Sequence, residues 1–187
     1  MENRILIIAD ELFGENGESA ARFSELLLCK QPTRPLQFVI NAPLPYSLAS
    51  LSEKIAFDIM GKQAKHIVLG VGLKDIAHGK NPDILFESLK NITSILLSKT
   101  SSIIYIVTIP LETLPESPSA ICHWNTLLKG LAADRLKVLD FAEAAETFKE
   151  QQLERGKFAR TLYGETGKAT STCQTLLSLF LLDSFLA

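Results

Sequence analysis

Charged residues directly follow two of the most apolar segments of the chain. Asp10 and Glu11 come after an isoleucine-rich run, and Lys74 and Asp75 follow a second apolar run that ends in glycines. Carboxylates at such positions can transfer protons or can together hold a divalent cation such as Mg²⁺. Lys74 opposes the metal interpretation because its ammonium group would lie among the carboxylates, so no metal site is predicted.

The other polar residues of these segments have structural interpretations. Asp10 is interpreted as the cap of a turn or helix start rather than as a catalytic acid. His78 follows Asp75 by three residues and can serve as a displaced base, but a polar loop residue is the preferred interpretation. Ser47 and Ser50 have no histidine placed to activate them, so they are interpreted as helix caps.

Five short segments rich in branched apolar residues position these side chains. Near-continuous apolar character predicts strands covered on both faces, as in a parallel sheet. The predicted strands are Arg4–Ala9, Leu36–Asn41, His66–Val71, Ser102–Ile109 and Leu136–Leu139. Helix-period segments alternate with them, and the last three predicted helices are Pro118–Ala133, Glu143–Arg155 and Ser171–Phe185. The alternation predicts an α/β fold, a three-layer α/β/α domain with a doubly wound, mostly parallel sheet of five strands.

Ligands of doubly wound domains bind beyond the carboxyl ends of the strands. The residues that follow the first three predicted strands therefore form the expected binding bay. They are Asp10, Glu11, Pro43, Lys74 and Asp75.

The order of these segments resembles the SGNH/GDSL hydrolase superfamily. Asp10-Glu11-Leu12 matches the Asp-Ser-Leu frame, Asn41-Ala42-Pro43 is similar to the Asn-x-Gly block, and Gly72-Leu73-Lys74-Asp75 is similar to Gly-x-Asn-Asp. Trp124-Asn125 resembles the Tyr-Asn pair of a later helix. Tyr163 and Thr166 stand where the family has the aspartate and the histidine base of its last motif. The resemblance spans Arg4 to about Leu182.

The resemblance implies a hydrolase framework without the corresponding chemistry. Acyl transfer needs an exposed serine oxygen, a histidine base and donors for the oxyanion, whereas Glu11 replaces the serine and Thr166 the histidine. Pro43 has no N–H, so one backbone donor is lost. No catalytic residue is therefore predicted, and Glu11 and Lys74 are expected to form an ion pair that fills the former site.

Two functions remain open at this level. The first is a degenerate SGNH-like protein that binds a small molecule or a protein partner, including a second copy of itself, without catalysis. The alternative is a divergent esterase or acetylhydrolase with rearranged groups, in which Glu11 or His78 takes part. No Gly-x-Gly-x-x-Gly motif follows a strand, and no cofactor is predicted.

Composition narrows the function classes. The 187 residues are expected to form a single domain over positions 1–187. A net charge of −2 favours neither nucleic acid nor an anionic membrane as a partner.

The longest apolar run is too short to span a bilayer, and a core strand close to Met1 leaves no room for a signal peptide, so a cytoplasmic location is expected. Three widely spaced cysteines form no metal-site pattern, and Cys29 and Cys122 are expected to be buried.

Overall fold

Five strands form one parallel sheet in a computed structural model that describes residues 3–44, 47–131, 133–155, 162–164 and 168–186. The strands are β1 (Asn3–Ala9), β2 (Leu36–Asn41), β3 (His66–Gly70), β4 (Ile103–Val107) and β5 (Leu136–Leu139). All neighbours pair in parallel, in the order β2-β1-β3-β4-β5. The predicted doubly wound parallel sheet is confirmed.

Helices cover both faces of this sheet. Within the described residues they are α1 (Glu18–Lys30), α2 (Leu48–Asp58), α3 (Leu73–Ala77), α4 (Pro82–Lys99), α5 (Pro118–Lys129), α6 (Phe141–Glu154) and α7 (Ser171–Leu186). Helices α1 and α6 pack against α7, whereas α2 and α5 pack against α4. The predicted three-layer α/β/α arrangement is thus confirmed.

Strand β1 shows why the apolar runs predicted the sheet well. It lies between β2 and β3, and its residues from Ile5 to Ala9 are essentially inaccessible to solvent. Because helices cover both faces, both sets of alternating side chains must be apolar. The continuous apolar pattern of β1 therefore indicates that this strand lies in the interior of the sheet.

Three predicted elements were too long, β3 by one residue and β4 and α5 by more. Strand β4 ends at Val107 and not at Ile109, because the Asn125 side chain occupies both backbone groups of Ile109. Asn125 Oδ1 accepts from Ile109 N at 2.9 Å, and Asn125 Nδ2 donates to Ile109 O at 2.7 Å. Helix α5 ends at Lys129 and not at Ala133, with Gly130 as its C-terminal cap.

The expectation that Cys29 and Cys122 are buried was wrong. Both are exposed, and Cys173 alone of the three is buried. The buried stripe of α5 contains Ile121 and Trp124, and it places Cys122 off that stripe. Within the described part of the chain, no helix combines the length and apolar character needed to cross a membrane.

Candidate functional site

The segments that follow β1, β2 and β3 are tied together at the carboxyl ends of these strands. The backbone N–H of Asp10 donates to Gly70 O at 2.8 Å, and that of Leu44 donates to Ala9 O, also at 2.8 Å. Register places Ala9 opposite Gly70 in the sheet. The segments that follow these three strands therefore lie side by side.

Asp10 is a buried carboxylate that contacts two of these segments. It is only 3% exposed, and its Oδ1 accepts from Leu12 N at 3.1 Å, which caps the short 3₁₀ turn Glu11–Phe13. Its Oδ2 accepts from Lys74 N at 3.2 Å at the start of α3. Burial raises the pKa of the Asp10 carboxyl from 3.8 to about 7, although its backbone donors oppose the shift. The capping interpretation of Asp10 agrees with these contacts.

The expected ion pair between Glu11 and Lys74 is not formed. Lys74 Nζ donates instead to the carbonyl oxygen of Leu44 at 3.4 Å, and the Glu11 side chain is exposed. Among the described residues, no cation lies within ion-pair distance of the Glu11 carboxylate. The backbone of Lys74 is held by Asp10, and its ammonium reaches the loop after β2. The prediction of this pair was wrong, because sequence order does not show in which direction a long side chain extends.

Asp75 and His78 also make structural contacts. Asp75 is buried, and its Oδ2 accepts from the backbone N–H of Leu48 at 2.9 Å, which caps the start of α2. His78 is exposed, and its Nδ1 lies 2.6 Å from the carbonyl oxygen of Lys74, so Nδ1 carries the proton and donates. Neither side chain lines the cavity described next.

A cavity of about 630 Å³ opens beside Glu11. Its wall combines acidic side chains with apolar ones. The lining residues are Glu11, Glu15, Glu18, Pro43, Leu73, Ala77, Thr113, Leu114, Glu116, Tyr163, Lys168, Ala169 and Gln174. The sequence-predicted residues Glu11, Pro43 and Tyr163 belong to this wall, whereas Asp10, Lys74, Asp75 and His78 do not. Thr166 lies outside the described residues.

Tyr163 stands in the cavity wall, and it is nearly inaccessible. It is 6% exposed, and its hydroxyl lies against the buried Cys173 thiol. Burial raises the pKa of Tyr163 well above its ordinary value, and burial raises that of the neighbouring Cys173 thiol to about 11. Both groups are therefore protonated at neutral pH, and neither supplies an anionic nucleophile.

All three histidines of the chain are engaged outside the cavity. His66 Nδ1 lies 3.3 Å from the Tyr105 hydroxyl, and His123 Nε2 lies 2.9 Å from Asp83 Oδ1. His78 contacts Lys74 as described. The wall as described thus contains no histidine, and its hydroxyl groups belong to Tyr163 and to Thr113, which donates to Pro110 O.

Sequence reasoning missed most of the acidic wall. Glu15 precedes α1, Glu18 is the first residue of α1, and Glu116 lies in the loop before α5. Glu15 forms an ion pair with Lys168. The acidic character of the segment around Glu15 was visible in the sequence, but its position beside Glu11 was not. Among the described residues, no group of three histidine, cysteine or acidic side chains is placed to hold a metal ion.

No protein-family model and no curated protein sequence matches this chain. Several solved structures are similar to it. A member of the lipolytic protein G-D-S-L family from Veillonella parvula has 17% identity and a TM-score of 0.70, with 98% of each chain covered. A catalytic mutant of the acetylxylan esterase Axe2 from Geobacillus stearothermophilus has 13% identity and a TM-score of 0.77, covering 97% of this chain and 93% of that one. TesA has 12% identity, a TM-score of 0.72 and 97% coverage of both chains.

These similarities extend over nearly the whole chain. They define the fold as that of the SGNH/GDSL esterases and lipases, and they confirm at the level of fold the resemblance drawn from the motifs. A common fold leaves the chemistry of the site to be argued from its own residues.

Proposed function

We propose that this chain is an SGNH-fold protein without hydrolytic activity, which acts by binding a ligand or partner at the former ester-cleaving bay. The single observation that carries the proposal is the placement of the histidines. All three contact groups outside the cavity beside Glu11, where a base would have to act.

The residues at the expected catalytic positions support the same conclusion. Glu11 has no hydroxyl to attack an ester, and its carboxylate would repel the negative charge that develops on the oxyanion. Pro43 in the cavity wall supplies no backbone donor. Loss of one oxyanion donor typically costs about 10² to 10³ in rate, and loss of the nucleophile costs about 10⁶ in a serine hydrolase.

Turnover of a short-chain aryl ester tests this proposal. The purified protein is assayed beside an active acetylxylan esterase as a positive control, and both are treated with a serine-reactive fluorophosphonate. We expect no turnover above the buffer rate and no labelling of this chain.

Matched variants decide the origin of any activity that is found. Glu11→Gln and His78→Ala each remove one of the two side chains that the esterase alternative would use. Glu53→Gln, which removes an exposed carboxylate of α2, is the control. Turnover that Glu11→Gln or His78→Ala abolishes, while Glu53→Gln retains it, would establish the divergent esterase and reject the proposal.

A further inference from the structure

Strand β2 forms one edge of the sheet. Within the described residues it pairs with β1 alone, because the strand order is β2-β1-β3-β4-β5. Alternate residues of a strand direct their N–H and C=O groups to opposite sides, so half of these groups in β2 point away from β1. An open row of donors and acceptors is a template on which a further strand can pair.

The two edges of the sheet are built differently. The other edge strand, β5, has only four residues and carries the exposed Lys137. A short strand with a lysine is a common protection of an edge against pairing. In contrast, β2 has six residues, and it contains neither a charged residue nor a proline. The β2 edge therefore lacks the protection that the β5 edge has.

Apolar side chains of β2 remain in contact with solvent. Ile40 is 38% exposed, and Leu36, Phe38 and Val39 are only partly buried. An uncharged edge strand that is rich in β-branched and aromatic residues pairs readily with other strands. We therefore expect a partner strand to cover this edge.

Leu28 of α1 extends the apolar surface beside β2. Arg22 of α1 contacts Thr175 of α7 and so marks the side of α1 that faces α7. At about 3.6 residues per turn, Leu28 lies on the opposite flank of the buried stripe of α1, which contains Phe23. Phe23 packs edge to face against Phe38 of β2, with ring centroids 6.0 Å apart. The exposed Leu28 is therefore directed toward the β2 edge of the molecule.

The sequence of β2 complements itself in one antiparallel alignment. When two copies are related by a two-fold axis at Val39, this residue faces its own counterpart. Phe38 then faces Ile40 of the second copy, and Gln37 faces Asn41 of the second copy. Apolar side chains thus meet apolar ones and the amides meet each other, and such directly opposed pairs stabilise antiparallel strands. An axis at Phe38 would instead place the Gln37 amide against Val39.

The amide groups of Gln37 and Asn41 are available for this pairing. Gln37 Oε1 accepts from Arg4 Nη2 at 3.0 Å, which leaves the Nε2 group of Gln37 to donate. The Asn41 side chain makes no hydrogen bond within the described residues. Gln37 Nε2 of one copy can therefore donate to Asn41 Oδ1 of the other, twice in a symmetric pair.

We propose that two copies of this chain associate through their β2 edges, antiparallel and centred on Val39, so that two five-stranded sheets become one continuous sheet. A two-fold interface uses the same surface on both copies, which is why a self-complementary strand indicates a second copy as the partner. No residue of β2 lines the cavity beside Glu11, so the inference is independent of the function proposed for that cavity.

Sedimentation equilibrium of the whole chain tests the association. A strand pair flanked by Leu28 is a small interface, so we expect a reversible monomer–dimer equilibrium with a Kd on the order of 1–100 µM. A reductant in the buffer prevents the exposed Cys29 and Cys122 from linking chains. A chain that stays monomeric up to about 1 mM would overturn the proposal.

A charge on the edge tests whether the dimer forms through β2. Ile40→Lys introduces an ammonium group from each copy into the interface, and we expect it to raise the Kd at least about tenfold. Ile84→Lys is the matched control, because Ile84 is 67% exposed on α4, and it should leave the Kd unchanged. A dimer that persists in Ile40→Lys, or that Ile84→Lys dissociates equally, would reject the β2 edge.

Disulfide cross-linking tests the alignment in a variant that adds no charge. Opposed residues of antiparallel strands have Cα atoms about 4.5–5.5 Å apart, within the range of about 4.4–6.8 Å that disulfides span. In a chain with Cys29→Ser and Cys122→Ser, we expect Val39→Cys to give a covalent dimer on mild oxidation. Gln37→Cys should not, because its counterpart lies four residues away along the opposing strand. Absence of the Val39→Cys link, or equal linking at both positions, would overturn the proposed pairing.

Discussion

At the scale of single residues, Asp10 makes the stability of the folded protein depend on pH. Its carboxylate accepts backbone N–H groups from both the turn after β1 and the start of α3, and it does so without access to water. Burial raises its pKa from 3.8 to about 7, so the folded protein binds this proton more tightly than the unfolded chain does.

Asp10 should therefore make the protein less stable as the pH rises. The stability that its raised pKa contributes is fully present below pH 3.8, and it is lost as the pH rises through about 7. Between pH 5 and pH 7.5, we expect wild-type stability to fall by about 2–3 kcal/mol relative to the pH profile of Asp10→Asn. Urea denaturation across this range measures the difference, with Glu53→Gln as the control. Parallel profiles for wild type and Asp10→Asn would contradict the prediction.

Gly70 is required by a close contact with an aromatic ring. A Cβ atom at this position would lie 2.4 Å from Cε2 of Phe13, which is itself fully buried. We expect Gly70→Ala to cost about 1–3 kcal/mol in the free energy of unfolding, because the core must shift to accept the methyl group.

Gly61→Ala is the matched control, because its added Cβ would lie 3.4 Å from the carbonyl oxygen of Ala56. We expect that change to be neutral or to stabilise by up to about 1 kcal/mol. Chemical denaturation of both variants measures the pair, and equal stabilities would contradict the assigned role of Gly70.

At the scale of elements, one side chain determines where β4 stops. Asn125 on α5 is buried, and its amide group bonds to both the N–H and the C=O of Ile109. These backbone groups would otherwise pair with a neighbouring strand or remain unsatisfied. Asn125 thus joins α5 to the segment that follows β4.

Removal of this amide should destabilise the fold. Asn125→Ala leaves two buried backbone groups without partners, and we expect it to cost about 2–4 kcal/mol. Thr126→Ala, the next residue on α5, removes only an exposed hydroxyl that bonds to Cys122 O, and it should change stability by less than about 0.5 kcal/mol. Thermal and urea unfolding compare the two, and similar losses would show that the Asn125 amide has no special role.

At the scale of the whole molecule, α7 completes the layer that covers one face of the sheet. It packs against α1 and α6, and its residues Leu177 and Leu181 are fully buried. Ser178 adds a buried hydrogen bond from its hydroxyl to Ser19 O at 3.0 Å. The last helix is therefore part of the common core.

Two leucines on α7 form a matched test of this role. Leu177 is 0% exposed, whereas Leu179 is 43% exposed. We expect Leu177→Ala to cost about 2–5 kcal/mol through lost burial and the cavity that remains. Leu179→Ala should cost less than about 0.5 kcal/mol. Equal effects, measured by urea unfolding, would contradict the packing of α7 against the core.

Sequence reasoning predicted the fold better than it predicted the site. The strands β2 and β5 were predicted with the bounds that the structure shows. The boundary error at β4 depends on a contact with the distant residue Asn125, whereas α5 ends at its own cap, Gly130. Asp10 was correctly interpreted as a cap, because capping is a local property. The Glu11–Lys74 pair failed because the direction of each side chain depends on the surrounding loops.

The sequence by itself determined the alternation of strands and helices, the parallel sheet and the acidic residue Glu11 close behind the first strand. Those features follow from local periodicity and from residue identity, which neighbours along the chain already define. Only the tertiary structure brought Glu15, Glu18 and Glu116 to the same cavity as Glu11, and only it turned the Lys74 ammonium toward Leu44. Glu116 lies about a hundred residues from the other three glutamates, and Lys74 lies 30 residues from Leu44, so packing between distant segments decides both contacts and no local pattern encodes them.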